Sequence, residues 1–272
     1  MIAEPWDFGA SVAGYRWRPA EAARATVLLA HGYAEYAERY VAHYNGLIPA
    51  LVARGFAVHA FDYVGHGASP GKRGAADVAV TVAQHRRARA ALASEGPLFL
   101  VGHSPGGLVT AASVAADGGG VRGVVLSAPL LLVEASPLLK LVGRVLARIA
   151  PGAGVQPALD PAGISRIAAE VEAYRNDPRG YHGKLPAVLG ASVLKVAAAG
   201  WARYPAWTVP VLALHGTADT FTDPRGSERF VATVAAADKQ LVLFADGRHE
   251  LLNDVERDRA LALVVEWLDA RA

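Results

Sequence analysis

The chain contains no cysteine, which excludes disulfide staples and thiolate-held metals. Its only methionine is Met1. Charge is nearly balanced: 27 Lys and Arg against 25 Asp and Glu leave a formal net charge of +2. That is too little to hold a polyanion, so no nucleic-acid partner is expected. Blocks of like charge are absent too; Arg86-Arg87-Ala88-Arg89 reads as the wet face of a helix. No uncharged apolar run reaches the roughly 18 residues that suggest a membrane span. Met1 to Asp7 lack the basic region and apolar core of a signal peptide, and a cytoplasmic location is expected. There is no H-E-x-x-H or comparable ligand spacing, and Gly65-His66-Gly67 is not followed by Lys-Ser/Thr. Neither a metal site nor a phosphate loop is expected, and no cofactor. What remains is 272 residues, 53% of them hydrophobic, ample for one large core.

The most informative stretch is Leu98-Phe99-Leu100-Val101-Gly102-His103-Ser104-Pro105-Gly106-Gly107-Leu108-Val109. Leu98 to Val101 read as a buried strand and the residues after Gly106 as a helix. Between them lies G-x-S-x-G, in which a serine rides a tight strand-to-helix turn with its hydroxyl exposed above a sheet. Glycines are needed two residues to either side because a side chain there would collide with the neighbouring strand or helix. The residue after the serine normally lends its backbone N–H to an oxyanion hole. Here it is Pro105, a good helix opener with no N–H to lend.

Apolar runs and glycine-rich turns alternate along much of the chain. Residues 11–18 read as an early strand, and Ala25 to Ala30 as a buried one. A helix is expected up to about Arg54, closed by Gly55. Phe56 to Phe61 form the next strand, followed by the loop Asp62 to Gly71 and a helix from about Asp77 to Ser94, with Asp77 as N-cap. Val121 to Leu126, Val209 to Gly216 and Leu241 to Phe244 are further strands, and a helix closes the chain from about Asp254 to Ala270. Strands alternating with helices predict a mostly parallel sheet covered on both faces, with ligands at the carboxyl ends of the strands.

This rhythm stops between Leu130 and Tyr204, where helical patterns dominate and no convincing strand is seen. Residues 130–204 are expected to form a helical cap, inserted between core segments 1–129 and 205–272. Its first helix, Pro137 to Ile149, carries the apolar stripe Leu138, Leu139, Leu141, Val142, Val145, Leu146 and Ile149, with Lys140, Arg144 and Arg148 on the other side. The stripe suits either packing on the core or transient contact with a membrane or micelle surface. Ile164 to Asn176 and Lys184 to Ala199 are further helix candidates.

Serine needs a base within hydrogen-bond reach, and the base needs an orienting acid. In the strand-turn-helix setting the chain order is Ser, Asp or Glu, His. Ser104, Asp219 and His249 fit that order, each at the carboxyl end of an expected strand. His249 would take the serine proton and return it to the leaving alcohol, while Asp219 would hold the imidazole tautomer and stabilise its cation. Asp223 is a rival acid, further from the strand end. His31, His66, His103 and His215 stand in glycine-flanked turns and read as buried histidines bonded to backbone. Asp246 and Glu250 read as groups that support His249 or face solvent.

Several motifs together resemble the monoacylglycerol lipase and lysophospholipase-like family of α/β-hydrolases. His31-Gly32 with Glu35, Arg39 and Tyr40 resembles its H-G-x-x-E-x-x-x-R-Y. Asp62 to Gly74 resembles D-x-x-G-H-G-x-S-x-G-x-R-G. Leu126 to Pro129 opens the cap as in the family, and Tyr174 to Pro178 resembles Y-N-x-D-P. His215 to Asp219 and His249-Glu250 match the acid and base segments. The resemblance implies an α/β-hydrolase fold with a helical cap. It implies a serine esterase that cleaves monoacylglycerols through an acyl-enzyme, without cofactor. It places an oxyanion N–H on Tyr33, an ion pair between Glu35 and Arg39 that braces that loop beside the substrate, and Tyr174 at the polar end of the pocket. Two departures stand out: Pro105 replaces the family's methionine, and Tyr36 stands where histidine is common. Loss of one oxyanion donor costs roughly 10²–10³ in rate. A carboxylesterase for another monoester, such as a lysophospholipid or a synthetic ester, and a catalytically weak ligand-binding protein are therefore alternative readings.

Overall fold

Ala25–Ala30, Phe56–Phe61, Leu98–His103 and Val211–Gly216 are buried along their whole length. Strands apolar on both faces need neighbours on both edges and helices above and below. The computed structural model, which describes residues 1–136 and 141–272 in full, meets that need with one eight-stranded sheet. In chain order its elements begin with β1 (Glu4–Pro5), β2 (Gly14–Trp17), β3 (Ala25–Ala30), α1 (Arg39–Ala42), α2 (Leu47–Ala53) and β4 (Phe56–Phe61). Next come α3 (Val78–Ala91), β5 (Leu98–His103), α4 (Pro105–Ala116) and β6 (Val121–Ser127). After them run α5 (Pro137–Ile149), β7 (Gly154–Gln156), α6 (Ala168–Asn176), β8 (Leu185–Pro186) and α7 (Ala187–Trp201). The chain ends with β9 (Val211–Gly216), α8 (Pro224–Thr233), β10 (Lys239–Phe244) and α9 (Arg257–Asp269).

The sheet order is β1-β2-β4-β3-β5-β6-β9-β10, with β7 and β8 paired separately. From β4 to β10 all neighbours are parallel; only β1 and β2 run against their partners. This is the α/β-hydrolase arrangement. Side chains alternate across the sheet. Leu28, Leu100 and Leu126 face one core with α4, α7 and Phe230 of α8. Val27, Leu29, Val101 and Val125 face the other, with α2 and α9. Every parallel strand ends on the same edge, so the loops after β3, β5, β9 and β10 converge there.

The elements depart from the sequence reading chiefly in the helix before Gly55 and within residues 130–204. The single helix expected before Gly55 is broken: Tyr44, Asn45 and Gly46 all have positive φ, and the chain turns there before α2 starts. Tyr44 N–H donates to the Asn253 side chain, a tertiary bond that local propensity does not foretell. The ribbon β7–β8 lies in the segment where no strand was expected, its strands too short to show alternation. Of the apolar stripe on α5, Leu141, Val142, Val145 and Ile149 are exposed, the last at 73%. Leu138, Leu139 and Lys140 lie outside the described residues.

His85 of α3 is fully buried, and neither ring nitrogen has a hydrogen-bond partner. Burial, followed by the nearby Arg89, pushes its pKa down to about 3. Burial likewise pushes His66 to about 3 and His59 and His103 to about 4, and it lowers His31. These rings stay neutral in the folded chain, whereas in the unfolded chain they titrate near 6.5. Their contribution to stability is complete above that value and is lost as pH falls from about 6.5 towards 4, because only the unfolded chain takes up the protons. The urea midpoint is therefore expected to fall steeply across that window. His85→Leu should flatten the slope by about 1.4 kcal/mol per pH unit, gaining more at pH 5 than at pH 8; parallel unfolding curves at both pH values would contradict this.

Candidate active site

Ser104 sits between β5 and α4 with φ 56° and ψ −124°, a conformation that a residue with a Cβ rarely adopts. Strain of this kind costs about 1–3 kcal/mol and persists only where the surroundings over-determine it. Here they do. Ser104 N–H donates to Ser127 O at 3.0 Å, and Ser104 O accepts from Gly107 N–H at 3.0 Å and Leu130 N–H at 3.1 Å. A Cβ on Gly106 would stand 2.2 Å from Ala30 O, and one on Gly102 would stand 2.6 Å from Gly106 O. Only glycine lets β3, β5 and α4 approach this closely.

Ser104 Oγ–H donates to His249 Nε2 at 2.8 Å, and His249 Nδ1–H donates to Asp219 Oδ2 at 2.7 Å. The residues named from chain order are thus brought together, 145 and 30 positions apart. Asp223, the rival acid, caps α8 and pairs with exposed Arg225 instead. Burial alone would raise the Asp219 carboxyl, but the His249 charge and hydrogen bonds from His215, His249 and Thr222 outweigh it and hold it well below the usual range. Asp219 Oδ1 also accepts Phe221 N–H at 2.8 Å and Thr222 N–H at 3.1 Å. An acid with so many donors stays ionised beside its histidine.

Three of the buried histidines behave as expected. His31 Nδ1–H donates to Gly32 O at 2.7 Å, His66 Nδ1 lies 3.2 Å from Val64 O, and His103 Nδ1 lies 3.1 Å from Ser127 O. His215 differs: besides Thr222 O it meets the side chains of Ser227, Thr222 and Asp219. Thr222 and Ser227 were not singled out from the sequence. The one local clue was Thr222, three residues after the acid, where a side chain can fold back onto a carboxylate.

Glu35, Arg39 and Glu250 form a buried ion cluster. Arg39 reaches Glu35 at 2.8 Å and Glu250 at 2.9 and 3.1 Å. Glu35 further accepts the hydroxyls of Tyr40 and Tyr44 and the Gly32 N–H, while Glu250 accepts Asn253. Burial would raise Glu250, but Arg39 holds it well below the carboxylate range. Glu250 is therefore no solvent group; Asp246 is the exposed one. Arg39 does not reach the cavity beside Ser104. It stands behind Glu35 and Glu250 and ties the turn after β3 to the loop carrying His249.

That cavity has a volume of about 300 Å³. Tyr33, Glu35, Tyr44, Tyr174 and Glu250 line its polar part; Leu130, Val133, Leu159, Ile164, Leu189, Val193 and Phe221 line the rest, with Ser104, Pro105 and His249 between. Tyr174 projects from α6, its ring 5.4 Å from the Arg39 guanidinium carbon. Among the described lining residues are Glu35, Glu134 and Glu250 but neither Lys nor Arg. The residues described hold no group of His or acidic side chains arranged for a metal ion.

Removing one partner of a buried ion cluster leaves uncompensated charge and costs about 3–5 kcal/mol. Arg39→Met is expected to lose that much in urea unfolding at pH 7. A loss below about 1 kcal/mol would mean that the carboxylates find water, contrary to their burial.

The profile of a family described as serine aminopeptidase, S33, matches residues 21–256. A monoacylglycerol lipase of Mycolicibacterium smegmatis is 36% identical over 93% of this chain and 90% of its own. The human monoglyceride lipase is 31% identical over 86% of this chain and 78% of its own. The crystal structure of Paleococcus ferrophilus monoacylglycerol lipase superposes with a TM-score of 0.84 at 33% identity, covering 95% of this chain and 99% of that one. The strained serine turn, its histidine and acid, and these similarities over nearly the whole chain place this protein in the monoacylglycerol lipase family of α/β-hydrolases.

Proposed function

We propose that the protein hydrolyses monoacylglycerols to fatty acid and glycerol, with Ser104 as nucleophile, His249 as general base and then acid, and Asp219 as the orienting acid. The observation that carries this reading is the continuous chain Ser104–His249–Asp219, at 2.8 and 2.7 Å, on the wall of a mainly apolar cavity. Ser104 attacks the ester carbonyl, and its proton passes to His249 Nε2. The tetrahedral intermediate collapses as His249 protonates the leaving glycerol oxygen. Water, deprotonated by the same nitrogen, then releases the fatty acid. Ester hydrolysis needs no cofactor.

Residues 130–204 serve as the cap. Tyr174, Leu189 and Val193 from this segment line the cavity, and Tyr181 N–H donates to Ala34 O at 2.9 Å, holding the segment against the turn after β3. The acyl chain lies along the apolar wall, and the glycerol hydroxyls lie towards Tyr174, Glu35 and Glu250. Arg39 acts on that end through its two carboxylates and through the rings of Tyr44 and Tyr174, over which its guanidinium lies. With three carboxylates and no cationic side chain among the described lining residues, a neutral head group is favoured over the phosphate of a lysophospholipid. Exposed Leu141, Val142, Val145 and Ile149, with exposed Arg144 and Arg148 on the same helix, suit transient contact with a lipid surface. No described helix is long and apolar enough to cross a membrane, which fits a cytoplasmic enzyme that visits such a surface.

Tyr33 supplies one oxyanion N–H, and Pro105 supplies none. Purified protein is expected to release fatty acid from monodecanoylglycerol, with Ser104→Ala as the blank; equal rates for both would refute the triad. Decanoylglycerol phosphate is expected to be cleaved at least tenfold more slowly. Because one missing donor is worth about 10²–10³ in rate, Pro105→Met should raise kcat by about tenfold or more. An unchanged or lower kcat would show instead that the site is built around the proline.

A further inference from the structure

The histidine behind Asp219 has a role that rests on the triad proposed above. His215, on β9, is fully buried. Its Nε2 stands 3.3 Å from Asp219 Oδ2, 3.3 Å from Thr222 O and 3.1 Å from Thr222 Oγ1. A carboxylate and a carbonyl only accept hydrogen bonds, so Nε2 must carry the proton. Nδ1 is then the acceptor, and it takes the Ser227 hydroxyl of α8 at 2.7 Å. The Thr222 hydroxyl donates to the same Asp219 oxygen at 2.7 Å. That oxygen also receives His249 Nδ1–H. Asp219 thus stands between two imidazoles: the His215 Nε2–H, shared with Thr222, faces at 3.3 Å the same oxygen that His249 must use.

We propose that His215 is a positioning residue that, held by Ser227, lowers the basicity of Asp219 and through it sets the pH at which His249 becomes a competent base. A hydrogen bond donated to a carboxylate stabilises its charge and weakens its hold on any further proton donor. Without that donor, Asp219 would bind the His249 imidazolium more tightly, and the pH required for neutral His249 would rise. Other titratable or charged groups facing this cluster are His103, whose ring lies 4.8 Å from that of His249, Glu35 and Glu250, which act with it on His103, and Asp223, which lies near His215. None of them donates to Asp219.

The test compares His215→Phe, which removes the donor, with His215→Gln, whose amide N–H can replace it. The readouts are the acid limb of kcat/KM for monodecanoylglycerol and the NMR titration of the His249 ring. In His215→Phe both midpoints should rise by about 0.5 to 1 pH unit, roughly half of what one hydrogen bond to a charged acceptor is worth, because His249 feels only the share passed on through Asp219. His215→Gln should restore most of the shift. Unmoved midpoints in His215→Phe, or equal shifts in both variants, would overturn the proposal, even if kcat fell uniformly at all pH values. Should His215→Phe not fold, Ser227→Ala carries the same test, with a smaller shift in the same direction expected and an unmoved midpoint decisive against. If the wild type shows no Ser104-dependent turnover, the proposed hydrolysis fails, while the His249 titration still decides the role of His215.

Discussion

One guanidinium stands between two carboxylates in the interior, and the geometry above the sheet depends on it. Arg39 joins Glu35, in the turn after β3, to Glu250, next to His249. The first turn carries Tyr33, the proposed oxyanion donor, and the second carries the proposed base. They come from segments more than two hundred residues apart, 211 between Arg39 and Glu250. Taking three charges out of water is costly. The cost is offset because nearly every oxygen of the carboxylates accepts a bond from Arg39, Gly32, Tyr40, Tyr44 or Asn253. The cluster acts as a spacer of fixed length between the two loops.

Against that fixed frame the serine turn holds its strain. Ser104 can keep a positive φ because its own N–H and C=O are tied to Ser127, Gly107 and Leu130, and because two glycines bring the neighbouring chains into contact. Pro105 suits the same turn as structure, since its fixed φ opens α4. As chemistry it withholds a donor. A residue can thus serve the backbone well and the proposed reaction poorly, and the two effects are separable by substitution.

The parallel strands were legible because each carries a short apolar run with a turn signal at its end, and β3, β4, β5 and β9 are buried along their whole length. The serine, acid and histidine were legible from order and position at strand ends. The break at Tyr44–Gly46 was not, because a side chain 209 positions away makes it favourable. Nor was the setting of Asp219: Thr222 and Ser227 are ordinary loop and helix residues until the fold brings them to His215. Arg39 was recognised as the partner of Glu35, but a stretch read locally gives no sign that Glu250 would claim its other face. Local pattern reveals elements, whereas partners across the fold come from packing.

The lining of the cavity bears on what happens after turnover. Among the described residues Glu35, Glu134 and Glu250 line it, and no Lys or Arg does. Hydrolysis of a neutral ester there creates a fatty acid, which becomes an anion near neutral pH. Substrate and product then differ by one charge of the sign that the walls already carry. Like charge in the walls disfavours the anion more than the neutral ester, although Arg39 offsets part of it. The same walls that admit a glycerol ester thus hold its product less tightly.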